Sequence, residues 1–164
     1  MSKKHKEMDK TNVMRILEQA SIPYIPHEYP HGKEAVDGVT VATLLGQDVE
    51  TVFKTLVCKG HSGGYCVFVV PVADALDLKK AARAAEEKSV EMIPVKEINK
   101  VTGYIRGGCS PVGMKKLYPT VFHETCEILD RIVVSGGKIG TQVEVNPDDL
   151  IPFVKGKTAD IIKD

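Results

Sequence analysis

The sequence predicts an α+β fold: one domain built on a mixed, mainly antiparallel sheet with helices on its flanks. Three observations carry that prediction. Short apolar segments with strand-like spacing crowd the centre of the chain, while helical spacing falls on the flanks. Strand and helix do not alternate regularly, which disfavours a parallel sheet. No strand is followed by GxGxxG and a helix, which disfavours a doubly wound dinucleotide fold. At 164 residues the chain suits a single domain with a real core.

"MSKKHKEMDK", residues 1–10, is a polar, mostly basic tail, and residues 11–164 form the domain. In "KTNVMRILEQASIPY" the spacing of Val13, Ile16, Leu17 and Ala20 predicts a helix, capped by Thr11 or Asn12 and stopped by Pro23. "YIPHEYPHG" reads as extended, and "GVTVATLLGQD" as a short helix closed near Gly46. "VETVFKTLVCK" and "YCVFVVPV" read as consecutive strands, with "GHSGG" as the hairpin loop between them. "DALDLKKAARAAEEKS" is the clearest helix, with Leu76, Ala81, Ala84 and Ala85 on one side. A short strand "VEMI" follows, then a helix in "PVKEINKVTG" with Pro94 in its first turn. "GYIRGGCSPVGMKKLYPTVFHE" and "RIVVSGGKIGTQVEVNPDDLIPFV" read as short strands punctuated by glycine, the second ending in a helix capped at Asn146 and Pro147.

Bulk composition narrows the function classes. The chain is 43% hydrophobic and 27% charged, the profile of an ordinary globular domain. Its 22 basic and 22 acidic residues balance, which argues against gripping nucleic acid by bulk electrostatics. There is no apolar run of bilayer length and no signal peptide, so a cytoplasmic protein without membrane contact is expected. Cys58, Cys66, Cys109 and Cys126 show no CxxC pairing and lie in or near apolar segments, so reduced thiols are expected rather than disulfides or a metal site. The His-x-Glu and Pro-Cys-x-x-Cys of a zinc deaminase are missing.

Three features point to chemistry. Lys54 sits mid-strand between Val52 and Leu56 on one face of "TVFKTLVCKG", where an ammonium is out of place. Burying it unpaired costs several kcal/mol. Either the side chain snorkels to water along its stem, or the face opens into a cleft where Lys54 meets an anionic oxygen. Thr55 points the other way, with its backbone N–H beside the lysine. The second feature is "GGCSPVG", Gly107 to Gly113, whose adjacent glycines allow close backbone approach to a ligand. A tight turn is the plainer explanation. The third is "SGGKIG", Ser135 to Gly140, which lacks P-loop spacing and which a hairpin turn also explains. No Ser/His/Asp triad can be read: Ser110 has no base and His123 no visible carboxylate partner. Cys109 is a possible nucleophile, although a small hydrophobe is the commoner use of cysteine.

"VFKTLV", "PVADALDLKKAA", "TGYIRGGCSPVG" and "VSGGKIG", in this order, resemble the YbaK/EbsC family of aminoacyl-tRNA deacylases, related to prolyl-tRNA-synthetase-associated editing domains. The likeness runs from about Thr11 to the C-terminus and is strongest to the free-standing Cys-tRNA(Pro) deacylases. It implies a compact α+β domain with a curved, barrel-like mixed sheet flanked by helices. It also implies that no cofactor is needed. The resemblance matches Lys54 to the essential lysine and Gly107 and Gly108 to the catalytic glycine loop. It matches Tyr29, Thr55, Ser110, Ser135, Gly136 and Gly137 to substrate-binding positions. The resemblance implies an aspartate at the position of Gln142, so a carboxylate contact would become a neutral one.

The implied activity is removal of mischarged cysteine from tRNA(Pro), the substrate's own thiol closing a thiolactone while the enzyme supplies proximity and oxyanion stabilisation. Its implied partners are the aminoacylated CCA end and prolyl-tRNA synthetase, with the chain a monomer or homodimer. Lys79, Lys80, Lys115 and Lys116 are candidate phosphate contacts, with plain solvation as the alternative. Rival readings are an alanine deacylase using water, a non-catalytic module that binds an aminoacyl end or nucleotide, and an enzyme with Cys109 as nucleophile.

Overall fold

A computed structural model describes residues 9–164; most of the expected N-terminal tail lies outside them. The elements are α1 (Asn12–Gln19), β1 (Tyr24–Glu28), α2 (Gly38–Leu44), β2 (Phe53–Gly60), β3 (Tyr65–Pro71), α3 (Leu78–Ala84), β4 (Val90–Met92) and α4 (Ile98–Thr102). The second half adds β5 (Thr120–His123), β6 (Ile132–Ser135), β7 (Thr141–Val145), α5 (Pro147–Phe153) and β8 (Lys157–Ala159).

The strands form two sheets. One has the order β1-β7-β6, all antiparallel; the other runs β4-β2-β3-β5-β8. In the second, β4, β2 and β3 are antiparallel, whereas β5 pairs β3 and β8 pairs β5 in parallel. The α+β class and the mixed sheet are as the sequence predicts. The barrel-like closure is not. Among the described residues a single bridge, Val52 to Val133, joins the edges of the two sheets, and neither sheet closes on itself. The glycine-rich stretch, which reads as short strands, is irregular from Gly103 to Pro119. There Gly103, Gly107 and Gly113 all have positive φ, and Pro111 and Pro119 offer no N–H to a ladder.

The hairpin β2–β3 is the spine. Val67 and Val69 of β3 face a core shared with α1, α5 and the three-stranded sheet; Phe68 and Val70 face a second core closed by α3. A strand buried on both faces reads as a continuous apolar run, which is why "YCVFVVP" lacks alternation. Side chains fix the helix starts: Thr11 Oγ1 accepts the Met14 N–H at 3.2 Å, and Asn146 Oδ1 accepts that of Asp148 at 2.9 Å. α3 is shorter than its sequence suggests. It ends at Ala84, Glu86 turns left-handed, and the Glu87 carboxylate accepts from the Ser62 N–H (3.0 Å) and O–H (2.6 Å) in the β2–β3 loop. The strand β8 was not foreseen.

Candidate functional site

Beside the bridge that Val52, just ahead of β2, makes to Val133 of β6 lies a cleft of about 120 Å³. Lys54 and Thr55 form its wall on the β2 side. Ser135, Thr141 and Gln142 line it from β6 and β7, and Gly107 and Cys109 from the glycine turn. Tyr29 and residues of α2, including Gly38 and Val41, close it. The cleft continues into a broad outer groove of about 930 Å³, which shares Lys54 and Gly107 and is rimmed by Lys33, Arg106, Glu34 and Asp37. Asp37 is occupied as the N-cap of α2, accepting from the Thr40 N–H and hydroxyl.

Lys54 is half-buried, and its Nζ donates to the Val72 carbonyl at 3.4 Å. The residue lines both the cleft and the outer groove. Thr55 lines the cleft too, because the strand edge there faces both the cleft and an apolar cavity of about 330 Å³ behind it. Its hydroxyl is buried and is without a partner among the described residues.

The two glycines of the turn divide their tasks. Gly107 has φ +87° and lies so close to Ala35 that a Cβ would stand 2.6 Å from that methyl. Its N–H has no intramolecular acceptor among the described residues. Gly108 does not line the cleft: its N–H donates to the Ile105 carbonyl (2.9 Å), and a Cβ would meet the Lys138 backbone at 2.8 Å. Gly108 is thus the point at which the first glycine loop packs on the second.

Three other expected site residues also stand behind the cleft. Ser110 is fully buried and accepts the Val112 N–H at 3.1 Å. Gly136 and Gly137 build the β6–β7 turn, where the Gly137 N–H donates to Ser135 Oγ at 3.1 Å and fixes that cleft residue. Tyr29 is held by its own N–H to the Gly140 carbonyl (3.0 Å), with its ring edge-on to His31.

Gln142 lies on the cleft floor, 5% exposed. Its Oε1 accepts from Gln47 Nε2 at 2.8 Å, and its Nε2 lies 3.4 Å from Gln47 Oε1, an amide–amide pair. Gln47, just past α2, is the functional candidate that sequence reasoning missed. Nothing local distinguishes it; only the fold brings it to β7.

Burial pushes the Cys109 thiol up to about 11, which leaves it protonated near neutrality and a poor nucleophile. His123 is buried on β5, its Nδ1 accepting the Ile161 N–H at 3.3 Å. Of the candidate phosphate lysines, Lys80 is committed to Asp160 and Asp164. All four cysteines are free, and the described residues hold no cluster that could bind a metal.

Comparison with known proteins agrees with this architecture. The aminoacyl-tRNA editing domain model matches residues 33–153. A protein of Enterococcus faecalis, provisionally named Cys-tRNA(Pro)/Cys-tRNA(Cys) deacylase EbsC, is 43% identical over 96% of each chain. Two crystal structures share the fold. One, of a protein without an assigned function, has TM-score 0.83 and 21% identity over 93% of this chain and 100% of its own. The other, provisionally described as a trans-editing enzyme for prolyl-tRNA synthetase, has TM-score 0.79 and 23% identity over 96% and 100%. With the family model spanning the cleft residues from Lys54 to Gln142, and a relative this similar along nearly its whole length, the chain belongs to the aminoacyl-tRNA editing domain family.

Proposed function

We propose that this protein is a free-standing deacylase that removes cysteine mischarged onto tRNA(Pro). One observation carries the reading: Lys54, Gly107, Tyr29, Ser135 and Gln142 converge on a cleft large enough for a small acyl group, which opens into a groove that would receive the 3′ end. The name of the Enterococcus faecalis relative supports the choice of substrate.

The acyl group enters the cleft with its ester carbonyl toward Gly107. The substrate thiol, as thiolate, attacks that carbonyl carbon. The electron pair moves onto the carbonyl oxygen, where the Gly107 N–H and the Lys54 ammonium stabilise it. Collapse breaks the bond to the ribose oxygen, which takes up a proton; cysteine thiolactone and intact tRNA leave, and water later opens the ring. The protein supplies proximity and charge, and no protein nucleophile is used. Ser135 and Tyr29 shape the cleft, while Ser110, Gly108, Gly136 and Gly137 hold its walls. Lys33 and Arg106 meet the terminal phosphates, and a complex with prolyl-tRNA synthetase supplies recognition of the tRNA body.

The test is incubation with Cys-tRNA(Pro), Ala-tRNA(Pro) and Cys-tRNA(Cys), each with native protein and with Lys54→Ala. Loss of cysteine alone, slowed about 100-fold or more in the variant, is expected. Loss of alanine would replace thiol attack with water attack. No loss from any substrate would leave a binding module.

A further inference from the structure

The cleft lining carries one formal charge, that of Lys54, and its Gln142 is neutral, held from behind by Gln47 in an amide pair. The ligand expected there brings an amine. An aminoacyl group carries an α-amine that titrates near neutrality, about 7.7–8.0 for a free α-amino group. As ammonium it would sit beside the Lys54 ammonium in a partly desolvated space, where like charges repel more strongly than in water.

The surrounding ionisable groups do not offset this. In the cleft wall these are the Tyr29 phenol and the Cys109 thiol, both neutral when protonated. On β7, Glu144 shares the face of Gln142, but it pairs at 2.8 Å with His27, which lies opposite Gln142 on β1. Glu34 and Asp37 line the outer groove beside Lys33 and Arg106, and Asp37 caps α2. One polar group of the wall residues has no partner within the described chain. The buried Thr55 hydroxyl lacks an acceptor among the described residues, and an amine lone pair is an acceptor where an ammonium is not.

We propose that the neutral Gln142, held by Gln47, makes this cleft select acyl groups whose α-position is uncharged: the free-base form of an aminoacyl ester, or an acyl group without an amine. The proposal rests on the functional reading above and adds a charge filter to it. The discriminating feature is the residue type at Gln142, held by Gln47 with one amide on each side.

Two uncleavable probes test it: 3′-deoxy-3′-(L-alanylamino)adenosine and 3′-deoxy-3′-(propionylamino)adenosine, which differ only by the amine. Binding to the native protein is measured by calorimetry at pH 6 and pH 9. The propionyl probe is expected to bind with little pH dependence. The alanyl probe is expected to bind at least about tenfold more weakly at pH 6 than at pH 9, because its amine is protonated at the lower pH. Gln142→Glu, whose carboxylate would still find a donor in Gln47 Nε2, is expected to reverse the preference at pH 6. Equal or tighter binding of the alanyl probe to native protein at pH 6 would overturn the charge filter and leave the deacylase reading intact. Failure of both probes to bind at either pH would overturn the acyl-cleft reading and the filter with it. The native pH comparison stands even if the variant does not fold.

Discussion

Thr55, a residue of the cleft wall, leaves a buried hydroxyl unpaired among the described residues, at the expense of the fold. A buried hydroxyl without a partner costs about 1–3 kcal/mol, and an apolar replacement of the same shape removes that cost. Thr55→Val is therefore expected to raise the denaturation midpoint while lowering affinity for the aminoacyl probe; a fall in both would mean that the hydroxyl is satisfied and structural. Neighbouring residues show what a sequence can and cannot reveal at this scale. Lys54 is legible because it breaks an alternation, and in the fold it lines the cleft. Gly107 and Gly108 were legible as a pair but not in their separate tasks, since both depend on what lies across the turn: Ala35 for one and the Lys138 backbone for the other. Ser110 carries an apparent motif, yet its hydroxyl is consumed by the Val112 N–H. Gln47 was invisible, because its meaning lies in a partner on a distant strand.

Strands β2 and β3 position everything else. β3 is central in its sheet and buried on both faces, and β2 brings Lys54 and Thr55 to the cleft wall. Phe68, fully buried on the α3 side, lies on the face opposite the one shared with α1. Phe68→Ala is expected to cost about 3–5 kcal/mol in chemical denaturation, with a cavity beneath α3. A loss under about 1 kcal/mol would mean that α3 collapses onto the gap and that β3 is not the anchor described. Local signals identified these elements well wherever period and caps agreed, as at Thr11 for α1 and Asn146 for α5. They failed where tertiary contacts decide. α3 stops early because the β2–β3 loop captures Glu87, and β8 is three residues, one exposed and two half-buried, whose strand character comes from pairing with β5. The barrel-like sheet that the resemblance implied is absent among the described residues, where neither sheet closes on itself, and the glycine-rich stretch adds no strands to either. Short apolar runs between glycines look like strands, but the positive φ of Gly103, Gly107 and Gly113 and the missing N–H groups of Pro111 and Pro119 interrupt a ladder there.

The molecule as a whole is neutral, and its charges act as local ties rather than as a field. Several of these ties hold the α3 side. The Asp160 carboxyl is held below its usual range by the Lys80 ammonium, Asp77 by the Lys80 and Lys79 N–H groups, and Glu87 by the Ser62 hydroxyl and N–H. Lys80 is raised in turn, by Asp164 and then Asp160. A depressed carboxylate contributes stability that is fully present above its unfolded pKa, about 4, and is lost as pH falls through its lower folded value. A raised lysine contributes below its unfolded pKa and loses that contribution as pH rises through the folded one. Both losses fall on α3 and the C-terminal segment, where the Asp77 N–H donates to the Ile161 carbonyl and the Lys163 N–H to Ala75. The cleft, on the far side of β2, has no carboxylate in its lining and depends on none of these ties. Below about pH 4, amides of α3 and residues 160–163 are therefore expected to exchange faster, after correction for intrinsic rates, while those of Val67 and Val69 stay protected. Asp160→Asn should remove part of this acid response, because the variant has no carboxylate to protonate. Simultaneous opening of α3 and β3 amides would instead show that the two faces of the central sheet unfold as one unit, so that acid would reach the cleft as soon as it reached α3.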